Sequence, residues 1–329
     1  MPDKRVRLVI MFAAFAAVLP IKAAHAEGLA AQQVSAVPPA FLDRLNREQK
    51  LQDIGWRLTT ANARFCTDAI PSIGMQLHDM ASYSDPGAVR ELFGLKSDFA
   101  VLTVAAGSPA DKAGLATNLE ILAIDEELLS EWPSAKSRDW QRTAHAHDLI
   151  DARLKEPGQV TLLLDGGRDI SIKPELACAS RFELSSDSKR AIADGSRVIL
   201  GNDFPGFSYE EDELAAAIAH ELAHNVLKHR VWLDEEGRGR KNVRLTEREA
   251  DRLMPWLLAN AGYDPDAAIR FMRRWGPRHG GWIFRKRTHD GWDERVEFIE
   301  AELSRIAEVR DKDGAVDWQT HFVREIARP

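Results

Sequence analysis

The run Ala219-His220-Glu221-Leu222-Ala223-His224 constrains this chain more than any other stretch. It reads His-Glu-x-x-His inside a segment, 211–230, whose pattern predicts a helix. Four residues is just over one helical turn, so His220 and His224 fall one above the other on the same face. Two imidazoles placed this way can both reach one Zn²⁺, and Glu221 can reach a metal-bound water as general base. A catalytic zinc takes three protein ligands and keeps one position open. One ligand therefore has to come from elsewhere.

His229 is near in sequence, but helical phase opposes it. At about 100° per residue it lies roughly 160° round from the midpoint of the His pair, on the opposite face. That predicts a structural or surface role. The metzincin spacing also fails, because Leu227 stands where Gly is needed and Arg230 where the third His belongs. The other candidates lie in Thr246-Glu247-Arg248-Glu249-Ala250-Asp251. This run is expected to open a second helix, with Thr246 as cap and Glu249 at capping-box spacing. Its apolar face would be Ala250, Leu253, Met254, Leu257, Leu258 and Ala261. Glu247 and Asp251 sit on the edge of that face, while Glu249 projects towards solvent. Glu247 alone would read as a charge favoured at a helix N-terminus; beside the His pair it reads as the third ligand. Asp251 would orient a ligating His.

The chain has 329 residues, enough for two ordinary domains. Its formal charge is −7, and Lys4, Arg5, Arg7 and Lys22 lie in the first 26 residues, leaving the remainder more acidic still. An acidic chain lacks the basic surface that nucleic-acid binding needs, so no nucleic-acid partner is expected. Residues 1–26 read as a secretory signal. Lys4, Arg5 and Arg7 precede an apolar run, 8–19, too short to span a bilayer comfortably, and Ala24-His25-Ala26 is an A-x-A cleavage site. The expectation is a periplasmic chain beginning at Glu27; the alternative is an uncleaved N-terminal membrane anchor. The only two cysteines, Cys66 and Cys178, are expected to pair, because export permits a disulfide and they bracket what reads as a domain. Two separate buried thiols are the other reading.

In order, 30–40 reads as a linker and 41–63 as a helix packed on a neighbour, from the spacing of Leu42, Leu45, Leu51, Ile54 and Leu58. From 69 to 173 the pattern turns to short β runs. A strand is expected at 99–104, then Ser108 capping a helix with Pro109 at its first position, a strand at 119–124, a helix over 148–155, and a hairpin of 159–164 and 169–172. His145 and His147 are expected at the surface. The strand, Gly107-Ser108-Pro109-Ala110, Ala113-Gly114-Leu115 and second strand resemble a PDZ domain of the bacterial protease type. Asn118-Leu119 stands where such domains often carry Gly-Asp, and Asn tolerates the left-handed turn. The resemblance implies binding of an extended peptide, often a C-terminus, at a sheet edge, with Phe93-Gly94-Leu95 as a candidate carboxylate loop. A PDZ-shaped spacer without a ligand is the other reading. Residues 174–187 read as a linker, 197–200 as a strand, 201–208 as a loop ending in a capping Ser208, and 234–241 as a charged, solvated loop able to flank a cleft.

The C-terminal motifs resemble the HtpX- and BepA-like gluzincin metallopeptidases. That family carries His-Glu-x-x-His on one helix and Glu-x-x-x-Asp on a following one, here His220 to His224 and Glu247 to Asp251. Ala261-Gly262-Tyr263-Asp264-Pro265 matches a further family run. Thr288-His289-Asp290 and Arg295 match a Thr-His-Pro segment and a following Arg, with Asp290 replacing the Pro. The resemblance spans residues 191–310. It implies one Zn²⁺ per chain held by His220, His224 and Glu247, with Glu221 as base. It also implies His289 as oxyanion stabiliser or zinc cap, an assisting Arg295, and strand 197–200 as the edge that receives substrate. Trp275, Trp282 and Trp292 would line the cleft or pack in the core.

The expected architecture is α+β: signal 1–26, linker and helix 27–66, a PDZ-like β-rich domain 67–178, and a mostly helical gluzincin domain with a short edge strand, 179–329. The expected activity is zinc-dependent endoproteolysis of misfolded or unassembled envelope proteins, with unfolded polypeptide as partner and peripheral membrane contact allowed. An envelope chaperone with a non-catalytic metal site is the alternative, against which an intact Glu221 stands.

Overall fold

The computed structural model describes residues 38–133, 140–186, 188–279, 291–310 and 314–326. Helix α1 (Pro39–Asn62) forms where the apolar spacing predicts, burying Leu51, Ile54 and Leu58 along one stripe. A 3₁₀ turn then leads to Cys66.

The β-rich segment that follows holds β1 (Ile70–Ser72), β2 (Met75–Asp79), α2 (Pro86–Phe93), β3 (Phe99–Val104), the one-turn α3 (Pro109–Lys112), β4 (Ile121–Ile124), β5 (Glu127–Leu128), α4 (Gln141–Lys155), β6 (Val160–Leu164), β7 (Arg168–Ile172) and β8 (Glu175–Ala177). β2 pairs antiparallel with β3, and β4 pairs antiparallel with β5 and β6. β6 and β7 form the expected hairpin, with Leu164 opposite Arg168. Ser108 accepts from Asp111 N to cap α3, and Asn118 adopts the left-handed conformation at φ 66°. Phe99, Val101, Ile121, Ile150 and Leu162 fill a core under α4. Helix α4 begins seven residues earlier than the sequence pattern suggests. His147 therefore sits mid-helix facing β2 rather than at the surface. It accepts from Leu77 N at 3.3 Å, and burial lowers its pKa to about 3. His145 is exposed, packed on Trp132 with ring centroids 4.6 Å apart.

The segment 174–187 is not merely a linker. It carries β8, antiparallel to β1, and β9 (Arg181–Ser185). β9 pairs in parallel with β11 (Arg197–Gly201), which β10 (Ala191–Ala193) flanks antiparallel on its other side. β11 is thus the central strand, and the edge expected at 197–200 is supplied by β10. The far side of β9 is covered by α1, whose side chains take the place of a neighbouring strand. Gln52 donates to Phe182 O at 2.6 Å, Arg44 donates to Leu184 O at 3.0 Å, and Glu48 accepts from Leu184 N at 3.2 Å.

The remaining helices are α5 (Glu211–Val226), α6 (His229–Glu236), α7 (Arg240–Asn260), α8 (Ala267–His279), α9 (Trp292–Val309) and α10 (Trp318–His321). Ser208 does not cap α5, because its hydroxyl donates to Pro205 O; Glu210 caps it instead, in a reciprocal box with Glu213. The expected loop 234–241 shrinks to Gly237, Arg238 and Gly239. Helix α7 starts at Arg240, so Thr246 is interior and its hydroxyl donates to Val243 O at 2.8 Å. Leu51, Ile54 and Leu58 of α1 share one core with Phe182, Ile218 and Trp256. The β-rich segment is thereby inserted between two parts of one packed layer. Cys66 and Cys178 are disulfide-bonded with Cα atoms 5.5 Å apart, closing the neck of that insertion across 112 residues. Fold class is α+β, as expected.

Candidate metal centre

Helix α5 reaches the middle of the molecule because its flanks are small. Ala215, Ala216, Ala217 and Ala219 are buried, letting α7 pack closely along it. His220 and His224 share a face, as the spacing predicts, and α7 presents Glu247 and Asp251 towards them. His220 Nε2 lies 3.3 Å from His224 Nε2 and 3.4 Å from Glu247 Oε2, and His224 Nε2 lies 3.6 Å from Glu247 Oε1. Donors about 2.0–2.1 Å from a tetrahedral ion are separated by about 3.3–3.4 Å. The two imidazole nitrogens and the two oxygens of one carboxylate thus lie at spacings near that value, and with one atom from each residue within 4.8 Å of the others the group could hold a metal ion. Two imidazoles and a carboxylate suit a borderline divalent ion. The electrostatics agree. Burial alone would lower the His220 pKa, but Asp251 and Glu247 outweigh it and push it up to about 10, so this pocket favours positive charge at the imidazole. His224 is lowered to about 3, chiefly by burial.

With both Nε2 atoms turned inward, each imidazole has its Nδ1 to place. His220 Nδ1 faces Asp251 Oδ1 at 3.0 Å, although its N–H is not aimed straight at the oxygen. Arg295 of α9 grips Asp251 with both arms, Nε to Oδ2 at 2.5 Å and Nη2 to Oδ1 at 2.6 Å. Asp251 thus stands within reach of the His220 imidazole, and Arg295 holds Asp251 in place. Burial would raise the Asp251 pKa; Arg295 and His220 lower it below the ordinary carboxylate value.

His224 is held differently, and here two expectations fail. His229 does not lie on the far side. Its Nδ1 is 3.0 Å from His224 Nδ1. Helical phase stops counting at Val226, because Lys228 adopts a left-handed conformation at φ 59° and His229 opens a new helix that folds back. Glu249 does not face solvent either. It is fully buried, and its Oε2 lies 3.1 Å from His229 Nε2. Arg324 donates to the same oxygen through Nε at 3.1 Å and Nη2 at 2.8 Å, and the backbone N–H groups of Glu325 and Ile326 donate to Oε1 at 2.5 and 3.0 Å. Burial pushes Glu249 up, but these donors override it and hold its pKa at about 2. Trp256 is the signal that could have placed Glu249 inside. Counting this fully buried residue widens the apolar face towards position 249.

Glu221 follows His220 on α5 and is half-buried. Gly262, at φ 70°, ends α7, and Arg57 of α1 ties that turn down by donating to Ala261 O and Gly262 O at 2.6 and 2.7 Å. Trp275 stacks on Phe271 with an interplanar angle of 19° and packs, partly buried, against the core, and Trp292 is partly exposed at the start of α9. Thr288, His289, Asp290 and Trp282 lie outside the described residues, as does the expected signal 1–26. A cavity of about 830 Å³ lies apart from this centre, bordered by Gln52 of α1, Gln76 of β2, His147 of α4 and Arg181 of β9. Phe93, Gly94 and Leu95 are not in its lining. Gly94 instead ends α2, at φ 68°. No known family profile matches the chain, and no curated protein matches it.

Proposed function

We propose that this chain is a zinc endopeptidase of the gluzincin kind, acting on extended or unfolded polypeptide. One observation carries the reading: His220, His224 and Glu247 bring one ligand atom each to within 4.8 Å of one another, with Glu221 adjoining the first of them. A zinc ion there would polarise a carbonyl and lower the pKa of a water. Glu221 accepts the proton of the attacking water and returns one to the leaving nitrogen. Asp251 and His229 stand against the two Nδ1 positions, leaving both imidazoles to present Nε2. Strand β10, packed on α5 at the outside of its sheet, offers a backbone edge to an extended substrate. His289 and Arg295 remain the family's candidates for assisting, Arg295 through Asp251.

The β-rich segment reads as a PDZ-like module on the order of its strands and its Gly-Ser-Pro-Ala turn. The cavity bordered by β2, α4, α1 and β9 is where it would take an extended peptide, recruiting or gating substrate. The disulfide supports an oxidising compartment and so export. Among the described residues no helix is long and apolar enough to cross a membrane. The substrates proposed are misfolded or unassembled envelope proteins.

Zinc content measured alongside casein cleavage tests this. Glu221→Gln is expected to retain zinc and lose about 10²–10⁴-fold in cleavage rate. A variant as active as wild type would refute the role of Glu221. Zinc-loaded wild type that cleaves nothing would favour the binding-protein alternative.

A further inference from the structure

The chain's last described residues are bonded to the metal centre, two side chains removed. We propose that the C-terminal segment Arg324–Ile326 is a positioning element of this centre, setting the aim of His224 through Glu249 and His229. The inference rests on the metal-centre reading above.

The path is continuous. His224 can present Nε2 inward only if its proton sits on Nδ1, and that proton needs an acceptor. His229 Nδ1 is the atom in range, at 3.0 Å, and it accepts only if the His229 proton is on Nε2. Glu249 Oε2, at 3.1 Å, fixes the proton there. Glu249 can play that part in a dry interior only because its charge is compensated, and the compensation comes from the end of the chain: the Arg324 guanidinium and the N–H groups of Glu325 and Ile326. His220 gets the equivalent service from Asp251 and Arg295, both within the helical layer. Each ligating imidazole thus has a carboxylate clamped by its own arginine, one of them brought by the tail.

The tail is also held independently. The Glu325 carboxylate takes Arg248 and Arg252, each at 3.0 Å, and Phe322 and Ile326 are buried. Here Arg324 can be altered while the other ties keep the segment docked, which separates positioning from simple anchoring.

The full chain would be titrated with Zn²⁺ against a competing chelator. Co²⁺-substituted protein would be compared by its d–d absorption, which reports ligand geometry. Loss of an outer partner of a metal ligand typically weakens affinity ~10–100-fold. Glu249→Gln and Arg324→Gln are each expected to fall in or near that range and to change the Co²⁺ spectrum. Arg324→Lys should recover most of the loss. Metal-free Arg324→Gln should remain folded at room temperature, with the far-UV circular dichroism of wild type. Affinity and spectrum unchanged in Arg324→Gln would overturn the inference, as would an Arg324→Lys variant no better than Gln. If Glu249→Gln does not fold, the Arg324 pair decides alone. Wild type that takes up neither ion is a different failure, of the metal-centre reading itself.

Discussion

Glu48 and Glu249 are both buried carboxylates, and the molecule treats them in opposite ways. Glu249 receives donors from an imidazole, a guanidinium and two backbone N–H groups and stays ionised. Glu48, on α1, has the Leu184 N–H at 3.2 Å, and burial raises its pKa to about 7, with Arg44 pulling the other way. Its folded pKa lies above the ordinary value of 4.5. The neutral carboxyl is therefore compatible with folding below about pH 4.5, and stability is lost as pH rises through about 7. Glu48→Gln keeps an acceptor for Leu184 N and removes the ionisation. It should raise stability at pH 8 by about 1–3 kcal/mol and leave it nearly unchanged at pH 4.5. Denaturant unfolding of both proteins at the two pH values checks this, and equal gains at both would assign the effect to packing.

At the scale of elements, what was legible and what was not divide at the helix ends. The His pair, Glu247 and Asp251 were found because each pair lies within one unbroken helix, where spacing fixes direction. His229 was misplaced because the chain turns at Lys228 without Gly or Asn to announce it. A lysine held left-handed leaves no mark in composition. Lys228 also pairs with Asp68, an anchor invisible from the local sequence. Strands β8 and β9 hid in a stretch of mixed charge, because β9 draws one edge from β11 and the other from side chains of α1, none of them nearby in sequence. The turn at Lys228 is open to test. Lys228→Val puts a β-branched residue at φ 59° and should cost about 1–2 kcal/mol. It should also speed zinc loss to chelator by displacing His229, whereas Lys228→Gly should spare the centre. Zinc-release rates of the two variants, read beside their unfolding curves, decide whether the turn matters to the site or only to the fold.

For the whole molecule, α1 and the helices after β11 make one core, and the β-rich segment leaves and rejoins it between Cys66 and Cys178. All three residues of the candidate metal centre come from α5 and α7, on the far side of that neck in sequence. Replacing both cysteines by serine should therefore lower stability by about 2–5 kcal/mol, as for other native disulfides, without lowering zinc content at 25 °C. Unfolding in denaturant with metal analysis of the folded protein measures both. A protein that loses its zinc while still folded would show that the neck shapes the centre directly.

The same neck also has a mechanical consequence. A polypeptide gripped by the β-rich segment and drawn towards the centre would exert tension, and both covalent routes back into the core meet at that one bridged point. The pull would run into the bridge and into Thr59 at the end of α1, which accepts the Cys178 N–H, and also into β9 through Arg181, which holds Asp151 of α4. The insertion would behave as a tethered handle whose covalent load falls on one bridged point while its side-chain ties to β9 share the rest.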